Sequence, residues 1–167
     1  TINSFFTFQT AKKLKKLKKK TDIICAANVI CHVPDLTNLI RGVDLLLDKN
    51  GFFIFEEPYL GSMYEKTSYD QIYDEHIFMF SATSIKKVFK LFNFDLIDVI
   101  SQKTHGGSMR YVVGRVGVHK IKKSVIKLLK DEKKKNIDTL KGCLNFKKKC
   151  ENSRKKLKDK INSILKK

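Results

Sequence analysis

Between Tyr73 and His76 the chain places a phenol, two carboxylates and an imidazole in four consecutive positions, and Ile77, Phe78 and Phe80 follow at once. Such groups can move a proton. An imidazole titrates near neutral pH, a carboxylate such as Glu75 can orient or charge-balance it, and a phenol can donate to a developing oxyanion. The same four residues would also make an ordinary solvated turn, because titratable clusters are structural as well as catalytic. A second stretch, His105-Gly106-Gly107-Ser108-Met109-Arg110, sets further donors around a bend. Paired glycines let a backbone turn sharply and approach a ligand closely, although between two strand-like runs they also make a plain turn.

The elements that must carry these residues are read from periodicity. Phe5, Phe8, Ala11, Leu14 and Leu17 recur at helical spacing, which predicts an amphipathic helix ending near Lys20. Residues 22–27 form a continuous apolar run, as in a strand covered on both faces, with Cys25 as a small core residue. Asn28 to His32 then make the loop at its carboxyl end, the edge at which open α/β sheets bind ligands. Pro34-Asp35-Leu36 opens a helix whose stripe is Leu39, Ile40, Val43, Leu46 and Leu47, and Asn50-Gly51 is read as its end. Residues 52–57 are a second buried strand, delivering Glu57 and Tyr59 to the same edge as His32. Ser84 is read as the N-cap of a helix carrying Ile85, Val88, Phe89 and Phe92. Residues 94–101 and 109–117 are strands that His105-Gly106-Gly107 joins into an antiparallel hairpin. Beyond them, Ile121, Val125, Leu128 and Leu129, then Leu157, Ile161, Ile164 and Leu165, mark two basic amphipathic helices with Gly142 near their junction.

The net charge of +18 raises a nucleic-acid reading, so its location matters. Residues 12–20 hold seven Lys and no acid, and residues 121–167 hold 18 basic against five acidic residues, while 21–120 net −2. The excess sits on flanking helical segments, and the aromatics concentrate in residues 52–94, where charge is low. A basic nucleic-acid-binding module would interleave the two on one surface, so it stands as the alternative. The four Cys form no C-x-x-C pair, and no metal site is expected. No run of 18 apolar residues is present, and residues 1–20 lack an apolar signal core, so a cytoplasmic protein without a membrane partner is expected. The start at Thr1 and the lysine-rich end read as a piece of something longer.

Together the two polar stretches resemble the sugar C-methyltransferases. Tyr73-x-Glu75-His76 with Phe80-Ser81 and His105-Gly-Gly-Ser-x-Arg110 carry the resemblance. Asn28-Val29-x-x-His32-Val33-Pro34-Asp35-Leu36, Asp48-x-x-Gly51 and Glu57-Pro58-Tyr59-Leu60 fit the same pattern in the same order. The resemblance implies an α/β fold: the second half of a class I, Rossmann-like methyltransferase sheet ending in the hairpin, followed by the two basic helices. It implies a methyltransferase part over 1–118 and the helical start of a further domain over 119–167. The implied reaction uses S-adenosylmethionine to methylate carbon 3 of a nucleotide-linked 4-keto-deoxysugar. A base removes the proton beside the keto group, and the enolate attacks the methyl group. His76 is the first candidate for that base with Glu75 beside it, His32 is its rival, and Tyr73 is the donor to the enolate oxygen. Ala26, Ala27 and Asn28 would face the cofactor, although the family often has a second Asn where Ala27 stands. Asp74 likewise stands where the family often has His. Tyr59, His105, Gly106, Gly107, Ser108 and Arg110 would line the substrate pocket, Arg110 against a phosphate. No G-x-G-x-G loop follows a strand, so half of the family's cofactor cradle would come from the remainder of a longer parent chain. A methyltransferase-like fragment without activity is a third reading.

Overall fold

The computed structural model describes residues 1–17 and 21–166. The end of the first helix expected near Lys20 lies outside them. Four strands form one sheet in the order β1-β2-β4-β3, where β1 is Thr21–Ala27, β2 Leu47–Pro58, β3 Phe94–Gln102 and β4 Ser108–Arg115. β1 and β2 are parallel, with Ile24 opposite Phe53 and Ala26 opposite Phe55. The expected hairpin is present, and its return strand β4 inserts antiparallel between β2 and β3. This is the mixed α/β architecture that the element order implied.

Alternation along the strands decides where the core lies. Phe53 and Phe55 of β2, Leu96 of β3, and Met109, Tyr111 and Val113 of β4 point to one side. There they meet Leu39, Ile40 and Val43 of α2 (Leu36–Leu46) and, past the short α3 (Leu60–Lys66) in the chain, Ile85 and Phe89 of α4 (Ala82–Lys90). Val125 of α5 (Lys123–Lys135) joins the same cluster. Phe55 stacks on Phe53, Phe89 and Tyr111 with ring centroids 5.0, 5.4 and 5.1 Å apart. Each side chain of this size contributes roughly 1.5–3 kcal/mol when removed from water.

The residues between them face the other way. On β1, Ile23, Cys25 and Ala27 are exposed, so the expectation of a strand covered on both faces, with Cys25 in the core, is corrected. The apolar run reflects two faces of which only one is packed among the described residues.

Three boundaries also differ from the sequence reading. α2 ends at Leu46, and Leu47, fully buried, already belongs to β2. Gly51 sits inside that strand, where an added Cβ would lie 2.8 Å from the Asp22 carbonyl oxygen. The N-cap of α4 is Ser81, not Ser84; the two serines form a reciprocal capping box across its first turn. In α1 (Phe8–Leu17) only Ala11 is buried, and Phe5, ahead of the helix, is 92% exposed. Of the two basic helices, α5 packs on the body, whereas α6 (Leu140–Leu165) buries only Gly142. No described helix is long and apolar enough to cross a membrane.

Candidate active site

Glu57 sets the frame of the site. It is fully buried at the end of β2, and its carboxylate accepts from the backbone N–H groups of Val29, Ile30 and Cys31 at 3.1, 2.7 and 3.4 Å. These groups open the one-turn 3₁₀ helix Ile30–His32, so the carboxylate holds that turn against the sheet. The turn in turn fixes the segment above it, because Phe78 N–H donates to the Cys31 carbonyl at 3.2 Å. Further along, Tyr59 forms an isolated bridge with Phe80, and its N–H donates to the Gly107 carbonyl. An added Cβ at Gly107, which has φ 131°, would lie 2.5 Å from Ser62 Oγ, so this approach requires glycine.

Three chain segments therefore meet at the carboxyl end of β1 and β2. They enclose a cleft of about 390 Å³ lined by Asn28, His32, Tyr73, His76, His105 and Gly106, together with Pro58, Ser68, Asp70 and Gln71. Asn28 and His105 both hold left-handed backbones, with φ 52° and 48°. Strain of this kind in residues other than glycine gathers at functional sites.

Hydrogen bonding fixes the imidazoles. His76 Nδ1 lies 2.8 Å from the Gln71 carbonyl oxygen, and His32 Nδ1 lies 2.6 Å from that of Glu75. A carbonyl can only accept, so Nδ1 is a donor in both rings, and in the neutral ring Nε2 is the acceptor. The Tyr73 hydroxyl, 2.9 Å from His76 Nε2, is then the donor in that pair. The two imidazoles stand 5.1 Å apart by centroid. The neutral form of His76 so held offers its Nε2 lone pair to a phenol, beside a second imidazole whose Nδ1 is held in the same way.

The structure thus brings together Tyr73, His76, His32, Asn28, His105 and Gly106, and it places the other candidates elsewhere. Glu75 holds His32 through its backbone carbonyl, and the partner of His76 Nδ1 is Gln71. Tyr59 is buried beneath α5, its hydroxyl donating to Glu132 at 2.9 Å; burial and that carboxylate push its pKa far up. Ser108 is buried and donates to the Thr104 carbonyl. Arg110 pairs with Glu56 at 3.0 Å on the open side of the sheet, which occupies the guanidinium expected to meet a phosphate. Ala27 borders a hollow on that same side with Cys25, Ile54, Ile100 and Val112, whereas Ala26, opposite Phe55, packs against the core. Glu57 and Cys31 behind the cleft, and Pro58, Ser68, Asp70 and Gln71 in its lining, are the site members that the candidate set lacked. Of these, only Glu57, ending an apolar strand before Pro58, carried a signal in the sequence.

For a bound S-adenosylmethionine, the fit is local. Asn28 and His32 lie side by side in the cleft lining and offer an amide and an imidazole. These residues suit one end of such a group.

A family profile described as a methyltransferase domain matches residues 2–99, and one described as a C-methyltransferase C-terminal domain matches 103–167. The C-methyltransferase NovU of Streptomyces niveus is 26% identical over 138 residues, 82% of this chain and 33% of that protein. The chain thus spans about a third of the length of this curated relative. Among solved structures, a SAM-dependent methyltransferase from Anabaena variabilis ATCC 29413 superposes with a TM-score of 0.48 at 14% identity, covering 66% of this chain and 55% of its own. The magnesium protoporphyrin IX methyltransferase ChlM from Synechocystis PCC 6803, solved with bound SAH, gives 0.44 at 18% identity over 61% and 48%. By the match over residues 2–99, this chain belongs to the methyltransferase domain family, and its remainder is similar to a C-methyltransferase C-terminal domain.

Proposed function

We propose that these residues carry the proton-transfer half of a C-methylation whose substrate is a nucleotide-linked keto-deoxysugar. The observation that supports this most is the Gln71–His76–Tyr73 chain of hydrogen bonds inside the cleft. His76 Nε2 is the base for the acidic proton beside the keto group. As the ring becomes imidazolium, its Nδ1–H remains on the Gln71 carbonyl, which stabilises the charge without moving the ring. The Tyr73 hydroxyl, released from Nε2, turns its proton to the enolate oxygen. His32 keeps its lone pair in the same cleft and is the alternative base. Asn28 faces the cofactor, and His105 and Gly106 form the wall against the sugar. S-adenosylmethionine supplies the electrophilic methyl group when bound. The sugar reading rests on the resemblance of the 73–81 and 105–110 motifs, and the pairing of methyltransferase and C-terminal regions fits parts of one longer enzyme.

The first half-reaction can be followed without the cofactor. The chain is incubated in deuterated water with a nucleotide-linked 4-keto-deoxysugar, and deuterium at carbon 3 is read by NMR. Exchange should fall roughly 10²–10⁴-fold in His76→Ala, the usual contribution of a positioned base. Tyr73→Phe should slow exchange less. Exchange lost in His32→Ala but kept in His76→Ala would move the base to His32, and no exchange above buffer would sink the reading.

A further inference from the structure

One group buried beside the cleft has no part in that chemistry. Cys31 is 1% exposed, yet its sulfur and one nitrogen each of His32 and His76 lie within 4.8 Å of one another. From this cluster we infer a transition-metal site in which Cys31, His32 and His76 bind a zinc-class divalent cation, with a fourth position toward the cleft.

Three features support it. The donor set, one sulfur and two imidazoles, is the kind that selects zinc and its neighbours over magnesium or calcium. Both imidazoles hold Nδ1 on a backbone carbonyl, as ligands usually do, which leaves Nε2 as the ligating atom, on His76 once the Tyr73 hydroxyl is displaced. Three protein ligands with one open position is the pattern of zinc sites that also meet a small molecule. Bonds of about 2.0–2.3 Å at tetrahedral angles would bring the ligand atoms to roughly 3.3–3.7 Å apart, so the cluster must tighten by about 1 Å.

Burial of Cys31, followed by its hydrogen bond with Glu57 and the charge of Glu57, pushes the thiol up to about 12. The empty site therefore holds a neutral thiol at neutral pH. On binding, Cys31 releases its proton to solvent and the metal takes the sulfur lone pair, as coordinated thiols do. The Tyr73 hydroxyl is displaced from His76 Nε2. A metal seated here occupies the same lone pair that the proton-transfer reading needs, so the metal-bound state is the inactive one.

The test uses the 167-residue chain and Co²⁺ as an optical probe, with no sugar or cofactor present. Titration should give one equivalent per chain, a near-ultraviolet sulfur-to-cobalt charge-transfer band and visible bands of tetrahedral intensity. Cys31→Ser should abolish the charge-transfer band, and His32→Gln should weaken binding about tenfold or more, each with an unchanged far-ultraviolet circular dichroism spectrum. A wild-type titration without the charge-transfer band would overturn the site. So would a band that survives Cys31→Ser, since it would belong to Cys25, Cys143 or Cys150. Because this spectrum reads metal alone and deuterium exchange reads the base alone, failure of one leaves the other standing.

Discussion

The two faces of the sheet are built by alternate residues of the same strands, and they differ in almost everything else. On one face Phe53, Phe55, Tyr111 and Val113 are at most 1% exposed and packed under helices. On the other, Ile23 is 55% and Ile100 43% exposed, and the main polar feature is the Arg110–Glu56–Thr104 group. The cleft lies at the carboxyl end of the packed face, where Glu57 continues the register of Phe53 and Phe55. The packed face therefore holds, through Glu57, the turn that carries His32. The open face carries Ala27, the residue next to Asn28, and is left exposed there among the described residues.

The largest test of this contrast compares neighbours on β2. Phe55→Ala should cost about 3–5 kcal/mol and Ile54→Ala less than about 1 kcal/mol, read as shifts in the urea midpoint. Equal losses would mean that the open face is covered in solution.

Much of this was legible in the sequence, and the failures have physical causes. Periodicity located every strand and the amphipathic helices, because alternation and 3.6-residue spacing are local. It could not show that Cys25 lies on a bare face, since an apolar run looks the same whether one side or both are packed. The 73–76 stretch announced the cleft by composition alone. Nor could periodicity show what Tyr59 and Arg110 pair with, because their partners are remote: Glu132 lies 73 positions from Tyr59, and Glu56 lies 54 from Arg110. The capping serine was missed because Ser81 and Ser84 are both in the box, and which one caps depends on where the preceding bridge to Tyr59 ends.

Glu132 gives the next contrast. It is 1% exposed and accepts from Tyr59 Oη, the N–H groups of Ala82 and Thr83, and Thr83 Oγ1 at 2.5–2.9 Å, so it fastens α5 to the start of α4. Glu132→Ala should destabilise the fold by about 3 kcal/mol in urea, because it leaves buried donors unpaired. Glu56→Ala, which breaks an ion pair on the open face, should cost less than about 1 kcal/mol.

The cysteines give the smallest effect. Cys25 and Cys143 should react with a thiol reagent at once, while Cys31 should remain protected until the protein unfolds. Because the folded thiol of Cys31 is raised from 9.0 to about 12, the unfolded chain loses this proton first as pH rises. Its contribution to stability is thus fully present below about pH 9 and lost between 9 and 12, a decline that Cys31→Ala should lessen. Unaltered alkaline sensitivity in that variant would place the cause elsewhere.

The central claim is that His76 is held as a base of one tautomer between Gln71 and Tyr73. A long-range ¹H–¹⁵N spectrum of the labelled imidazoles reads this directly. The account predicts that His76 and His32 are both Nδ1–H tautomers at neutral pH, and that Tyr73→Phe shifts only the Nε2 signal of His76. A His76 protonated on Nε2, or one averaging rapidly between tautomers as a free surface imidazole does, would contradict it.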